Sequence, residues 1–153
     1  MAEVNASATT TPKTSMQTEL WYATTREGAK TQIFMVQSIP QLQTPQDPIT
    51  YGSLESTTEF QTKGTRKAES ISIPILYVAE QHTALKTLAD ENTQLFFYVK
   101  FPDSTAPTSE QPLTFTFSGT IDMANDEITI DGMLAETITV YRDSLVTETT
   151  WTE

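Results

Sequence analysis

A mainly β, α+β fold, a two-sheet antiparallel sandwich or open barrel with one flanking helix, is predicted by three features of the sequence. Apolar and hydroxyl residues alternate through LTFTFSGTID (residues 113–122), as they do on a half-buried strand. Only AEQHTALKTLADEN (residues 79–92) has helical spacing, with Ala84, Leu85 and Leu88 three and four apart and no internal Gly or Pro. TQLFFYVKFPDST (residues 93–105) is apolar on both faces: Leu95, Phe97, Val99 and Phe101 point one way, Phe96 and Tyr98 the other. A strand of that kind needs cover on each side, which the helix or a second sheet can supply.

The elements follow in order. Residues 1–18 are Ala, Ser, Thr and Asn with isolated Val4 and Met16, and read as a flexible arm. ELWYAT (19–24) and TQIFMVQSIP (31–40) are predicted strands of an opening hairpin turning around Gly28. QLQTPQDPITYGSLES (41–56) is a long loop by its Pro45, Pro48 and Gly52, yet displays Leu42, Ile49, Tyr51 and Leu54. Those four either fold back on the core or dock on another subunit. A weak strand around Phe60 leads into a turn with Lys63, Arg66 and Lys67, three of the nine cations.

ESISIPILYV (69–78) alternates Ile71, Ile73, Ile75 and Tyr77 on one face. Pro74 cannot donate to a ladder, so this strand belongs at an edge or a bulge. After the helix, the two-faced strand and a loop over 102–112, the alternating strand places Leu113, Phe115, Phe117 and Ile121 inward and Thr114, Thr116, Ser118 and Thr120 outward. MANDEITIDG (123–132) predicts a turn at Asn125 and Asp126 into a strand through Ile128 and Ile130, and LAETITVYR (134–142) another strand. The tail DSLVTETTWTE (143–153) is either an added strand or an outer tag.

At 153 residues the chain fits one domain, which buries about two thirds of its unfolded surface. Twenty acids against nine bases give a net charge of −11, which argues against wrapping nucleic acid, because phosphate affinity comes from clustered Lys and Arg. The same charge suits a surface that DNA slides past. Zero cysteines remove disulfides and thiolate chemistry. The start has no apolar core of a secretion signal, and no run approaches the roughly 20 residues that span a bilayer. The expectation is a soluble product of the cytoplasm, without a membrane role.

No catalytic constellation emerges. His82, the sole histidine, reads as an exposed helix residue, and no G-x-S-x-G turn supplies a nucleophile. Asp122, Asn125, Asp126, Glu127 and Asp131 fail the calcium-loop spacing and read as a turn. No metal, phosphate-loop or dinucleotide pattern is present, so no cofactor is expected. Trp21, Tyr22 and Trp151 suit either sugar stacking in a glycan-binding module or core and subunit contacts.

The order strand ESISIPILYV, helix AEQHTALKTLADEN, strand TQLFFYVKFPDST, strand LTFTFSGTID resembles the major tail tube protein of long-tailed bacteriophages. The opening arm followed by ELWYAT resembles that family as well. The likeness spans roughly residues 19–142 and is strongest over 69–121, which makes 1–18 an arm, 19–142 the tube domain and 143–153 a C-terminal extension.

The resemblance implies a structural, non-enzymatic virion protein, made in the host bacterial cytoplasm. It implies homohexameric rings stacked into the hollow conduit for DNA ejection. Tape measure, tail-tip and terminator proteins are the further partners it implies. The arm and the 41–56 loop would then order on neighbouring subunits, with Trp21, Leu42, Ile49, Tyr51 and Leu54 as contacts. Phe96 and Tyr98 would pack under the helix. The row Thr114, Thr116, Ser118, Thr120 and Asp122 would either line the lumen or form an outer solvated face.

Overall fold

The computed structural model describes residues 16–102 and 113–151. The expected arm before Met16, the loop over 103–112 and residues 152–153 lie outside the described residues. Among the described residues nine strands and one helix follow in order: β1 (Glu19–Ala23), β2 (Thr31–Ile33), β3 (Pro48–Tyr51), β4 (Phe60–Lys63), β5 (Ile71–Leu76), α1 (Ala79–Asp90), β6 (Leu95–Lys100), β7 (Leu113–Asn125), β8 (Ala135–Arg142) and β9 (Thr147–Thr150). Seven strands form one antiparallel sheet in the order β2-β1-β6-β7-β8-β5, with β9 also on β7, and β3 with β4 forms a separate hairpin.

The sheet curls because its two ends meet the same segment. β2 pairs with β1 at one end, while three residues further on Val36 bridges Ile75 of β5 at the other. Gln37 N donates to Pro74 O (2.9 Å) and Leu76 N to Met35 O (3.0 Å). Met35 makes the intervening kink with φ of 63°. The predicted strand over 31–40 is therefore a three-residue strand, a kink and a bridge. In a strand the N–H and C=O of one residue face the same side, so Pro74 directs its missing donor at this outer edge, away from its partner β8.

The core lies inside the curl. Leu95, Phe97 and Val99 of β6 meet Phe117 and Ile121 of β7, Ile73 and Ile75 of β5, and Ile138 and Val140 of β8. Phe97 stacks on Phe117 with ring centroids 5.3 Å apart. Helix α1 covers this same face with Leu85 and Ala89. It ends where Asn92 takes φ of 53°, with Asn92 N on Ala89 O and Thr93 N on Leu88 O, the paired bonds of a Schellman motif.

The second face of β6 is covered differently from the expectation. Phe96 and Tyr98 do not lie under the helix; they pack with Ala23, Trp21 and Trp151, and Trp151 comes from the far end of the chain. The tail is an added strand, since β9 pairs residue by residue with Leu113–Thr116 of β7. β8 and β9 occupy the same edge of β7, and between them Asp143–Val146 oppose only Phe117 and Ser118, a bulge of two extra residues. No strand forms through Ile128 and Ile130: residues 126–134 connect β7 to β8 as an exposed loop. Their alternation finds no neighbouring strand within the described chain, and period two is realised only where a ladder partner exists.

Candidate functional site

The β7 register places Thr114, Thr116, Ser118, Thr120 and Asp122 on the face opposite the core, beside Thr149, Thr147, Tyr141 and Thr139. Thr116 and Thr149 hydroxyls lie 3.1 Å apart. The row shares a face as expected, but not all of it is outward. Thr114 is 1% exposed and Ser118 6%. The bulge covers Ser118, whose hydroxyl donates to Asp143 Oδ1 at 2.5 Å and lies 3.1 Å from Ser144 Oγ. Thr116 and Thr120 are half-buried, and Asp122 is exposed. The residues that bury part of the row are in the TETTW tail, whose own alternation was the available signal.

Toward β1 the same face turns aromatic and cationic. Trp151, 4% exposed, lies 5.1 Å from the Trp21 ring and meets Tyr98 edge-on at 6.4 Å. Lys100 and Lys30 stand over Trp151 at 4.8 and 5.4 Å, and Arg26 over Phe96 at 5.7 Å. Trp21 Nε1 donates to Glu19 Oε2 (2.9 Å), and the same oxygen is 3.9 Å from Lys100 Nζ. A hollow of about 450 Å3 remains between Lys30, Phe96, Tyr98, Thr147, Ser144 and Trp151. Rings packed on one another and topped by cations are not open sugar platforms. Trp21 contacts Trp151 of its own chain, with part of its surface still exposed.

The 41–56 segment divides between the two readings open to it. Leu42 is 7% exposed and belongs to the core of its own chain, which corrects its assignment as a subunit contact. Ile49, Tyr51 and Leu54 are 53%, 55% and 108% exposed, and every residue of β3 and β4 is exposed. Tyr51 meets Phe60 across the hairpin at 5.8 Å. Arg142 holds both roots of this projecting arm, donating from Nε to Glu69 O (2.6 Å) and from Nη1 to Leu42 O (2.7 Å). Burial pulls its guanidinium below the usual value, and nearby Glu69 pulls it back. Sequence reading passed over Arg142, because a buried arginine looks like any other at a strand end.

His82 is not simply an exposed helix residue. Its Nδ1 lies 2.6 Å from Glu136 Oε2, a carboxylate 4% exposed on β8, and its ring is 5.2 Å from Tyr77. The pair ties helix to sheet; Glu136 Oε1 has no partner among the described residues. Asp126 accepts from Thr137 Oγ1 (2.8 Å), so one member of the acidic cluster fastens the β7–β8 turn. Among the described residues no three potential metal ligands gather.

This geometry combines a curled sheet, one polar face and an unsupported apolar arm. Residues 11–152 match the family described as phage tail tube, TTP, lambda-like. The chain belongs to the lambda-like phage tail tube family. It is thus a structural protein of the bacteriophage virion tail. No curated protein matches the chain. The tail tube chain is similar in fold to a chain of the anti-feeding prophage (AFP) baseplate, solved by cryo-EM and 6-fold symmetrised. The two share a TM-score of 0.64 at 10% identity over 92% of this chain and 97% of that one. The family match reaches past Arg142 to include β9, so the strand that covers the second face lies inside the family's span.

Proposed function

We propose that the chain is the subunit of a hollow tail tube, six copies to a ring and rings stacked on one another, through which DNA is ejected. The observation that carries this reading is the arm: a two-stranded hairpin with every strand residue exposed is marginal in water on its own and gains burial on a neighbour. Family membership and likeness to a component of a 6-fold baseplate support the ring stoichiometry. Ile49, Tyr51 and Leu54, with the exposed part of Trp21, are the subunit contacts. Tape measure, tail-tip and terminator proteins complete the assembly, and the chain is made in the bacterial cytoplasm.

The lumen is lined by the outward part of the β7 row, Thr116, Thr120 and Asp122, while Thr114 and Ser118 support it from beneath. The hydroxyls offer phosphates no opposing charge, Asp122 on a subunit of net charge −11 repels them, and the cations further along the face are engaged with Phe96, Tyr98 and Trp151, so DNA passes without adhering. Electron microscopy of the purified full chain over a range of concentrations tests the assembly, with rings or hollow rods of uniform width expected. Small discrete particles at every concentration, even with a nucleating tail-tip complex added, count against it. Thr120→Lys in the phage tests the lining: tubes of normal length with slowed DNA ejection are expected, and unchanged ejection removes the assignment.

A further inference from the structure

We infer that the β7–β8 loop of one copy docks on the root of the arm of a second copy, head to tail. Residues 126–134 expose Ile128 (69%), Ile130 (99%), Met133 (75%) and Leu134 (53%). Glu127 and Asp131 are also exposed there, and the loop contains no Lys or Arg. Its complement must therefore be apolar and basic. The root of the arm has that character: exposed Lys63, Arg66 and Lys67 outnumber its two acids, Asp47 and Glu69, and Ile49 and Phe60 of the same hairpin stand exposed. The tip of the arm has the wrong sign, with Glu55 and Glu59 around Leu54. Among the described residues none of Lys63, Arg66, Lys67, Glu127 and Asp131 has an ion-pair partner in its own chain.

The two surfaces cannot meet within one chain, because β5 separates them. Its first residue pairs Ile71 with Val140, next to the Arg142 clamp on Glu69 that starts the arm root. Its last pairs Leu76 with Ala135, and Tyr77 N donates to Leu134 O (2.8 Å) in the loop. At about 3.3 Å per residue the strand holds the two patches roughly 17 Å apart at opposite ends. A contact between two different patches on identical copies is heterologous and propagates into a ring or a stack. Copies of net charge −11 repel one another overall, so an association that sets three local cations against two local acids is favoured over other docking modes.

This inference rests on the self-assembly reading, and the experiment separates the two. Mixed 14N- and 15N-labelled full chain is treated with a zero-length carbodiimide cross-linker under assembly conditions and analysed by mass spectrometry. Mixed-isotope links from Lys63 or Lys67 to Glu127 or Asp131 are expected. In parallel, Lys63→Glu with Lys67→Glu, and separately Glu127→Lys with Asp131→Lys, are expected to lower the polymerised fraction at least about tenfold, since like charges face each other. All four changes in one chain should restore it. Circular dichroism on each variant verifies the fold, which surface changes leave intact. Tubes from the unaltered chain with links elsewhere, or reversed chains that polymerise normally, overturn this contact and leave the tube reading standing. No polymer and no mixed-isotope link under any condition overturns both.

Discussion

Phe97 and Leu54 are large apolar residues of one chain with opposite fates. Phe97 is fully buried in the curl of the sheet and stacked on Phe117, whereas Leu54 at the tip of the arm is fully exposed. The interior has everything a fold needs: paired strands, a helix over the open side and an apolar face closed by residues from seven elements. Among the described residues the arm is held by its own two-stranded ladder, the Arg142 clamp and a few polar contacts at its root, such as Gln43 with Glu148 and Gln46 with Gly64. The difference teaches that the chain is built in two thermodynamic layers, one stable in the monomer and one whose apolar surface is reserved for assembly.

The sharpest way to break that contrast is in the interior. Phe97→Ala removes a ring with no exposed surface, and a loss of about 3–5 kcal/mol in chemical denaturation is expected, enough to unfold a marginal domain. On the second face Trp151→Ala should cost about 3 kcal/mol, by uncovering Tyr98 and Trp21. Trp151→Phe should cost much less, because Trp151 Nε1 makes no hydrogen bond with the described residues. Equal losses for Ala and Phe would show that the indole itself, not the covered area, matters.

Between helix and sheet, His82→Ala leaves the buried Glu136 carboxylate unpaired, and about 2 kcal/mol of stability should vanish from the denaturation midpoint. Adding Glu136→Gln to that variant should return part of the loss. A smaller effect lies at the start of the sheet. Burial pushes the Tyr22 phenol above its ordinary value of 10.0, against a lowering hydrogen bond with Thr31. The fold therefore holds that proton more tightly than the unfolded chain does. Its contribution is complete below about pH 10 and is lost as pH rises through the folded-state value, and Tyr22→Phe should flatten that alkaline decline in a thermal melt. Smallest of all in the monomer is Leu54→Ser, within about 0.5 kcal/mol of the parent, while the yield of tubes in electron micrographs should fall. A destabilised monomer there would mean that the arm belongs to the first layer after all.

Much of the first layer was legible from local pattern. The alternation at 71–75, 95–101 and 113–121, the helix at 79–90 and the edge position implied by Pro74 each follow from period, propensity or a missing donor within a few residues. The candidate site was legible only in part. The Thr row does share one face, and Ile49, Tyr51 and Leu54 are exposed, yet Thr114, Ser118 and Leu42 are buried by residues distant in the chain.

What the sequence by itself determined was therefore the local geometry: which residues share a face, where the helix lies, and that the chain is acidic and without thiols. Only the tertiary structure decided which faces are covered. β9 returns along β7 and brings Trp151 onto Tyr98; Arg142 reaches across to Leu42 and Glu69; Val36 closes the curl on β5; among the described residues Ile128 and Ile130 find no strand to pair with. The physical reason is range. A strand's alternation is set by neighbours two residues away, but its cover is supplied by whichever distant segment repays the entropy of loop closure, and that choice depends on the whole chain at once.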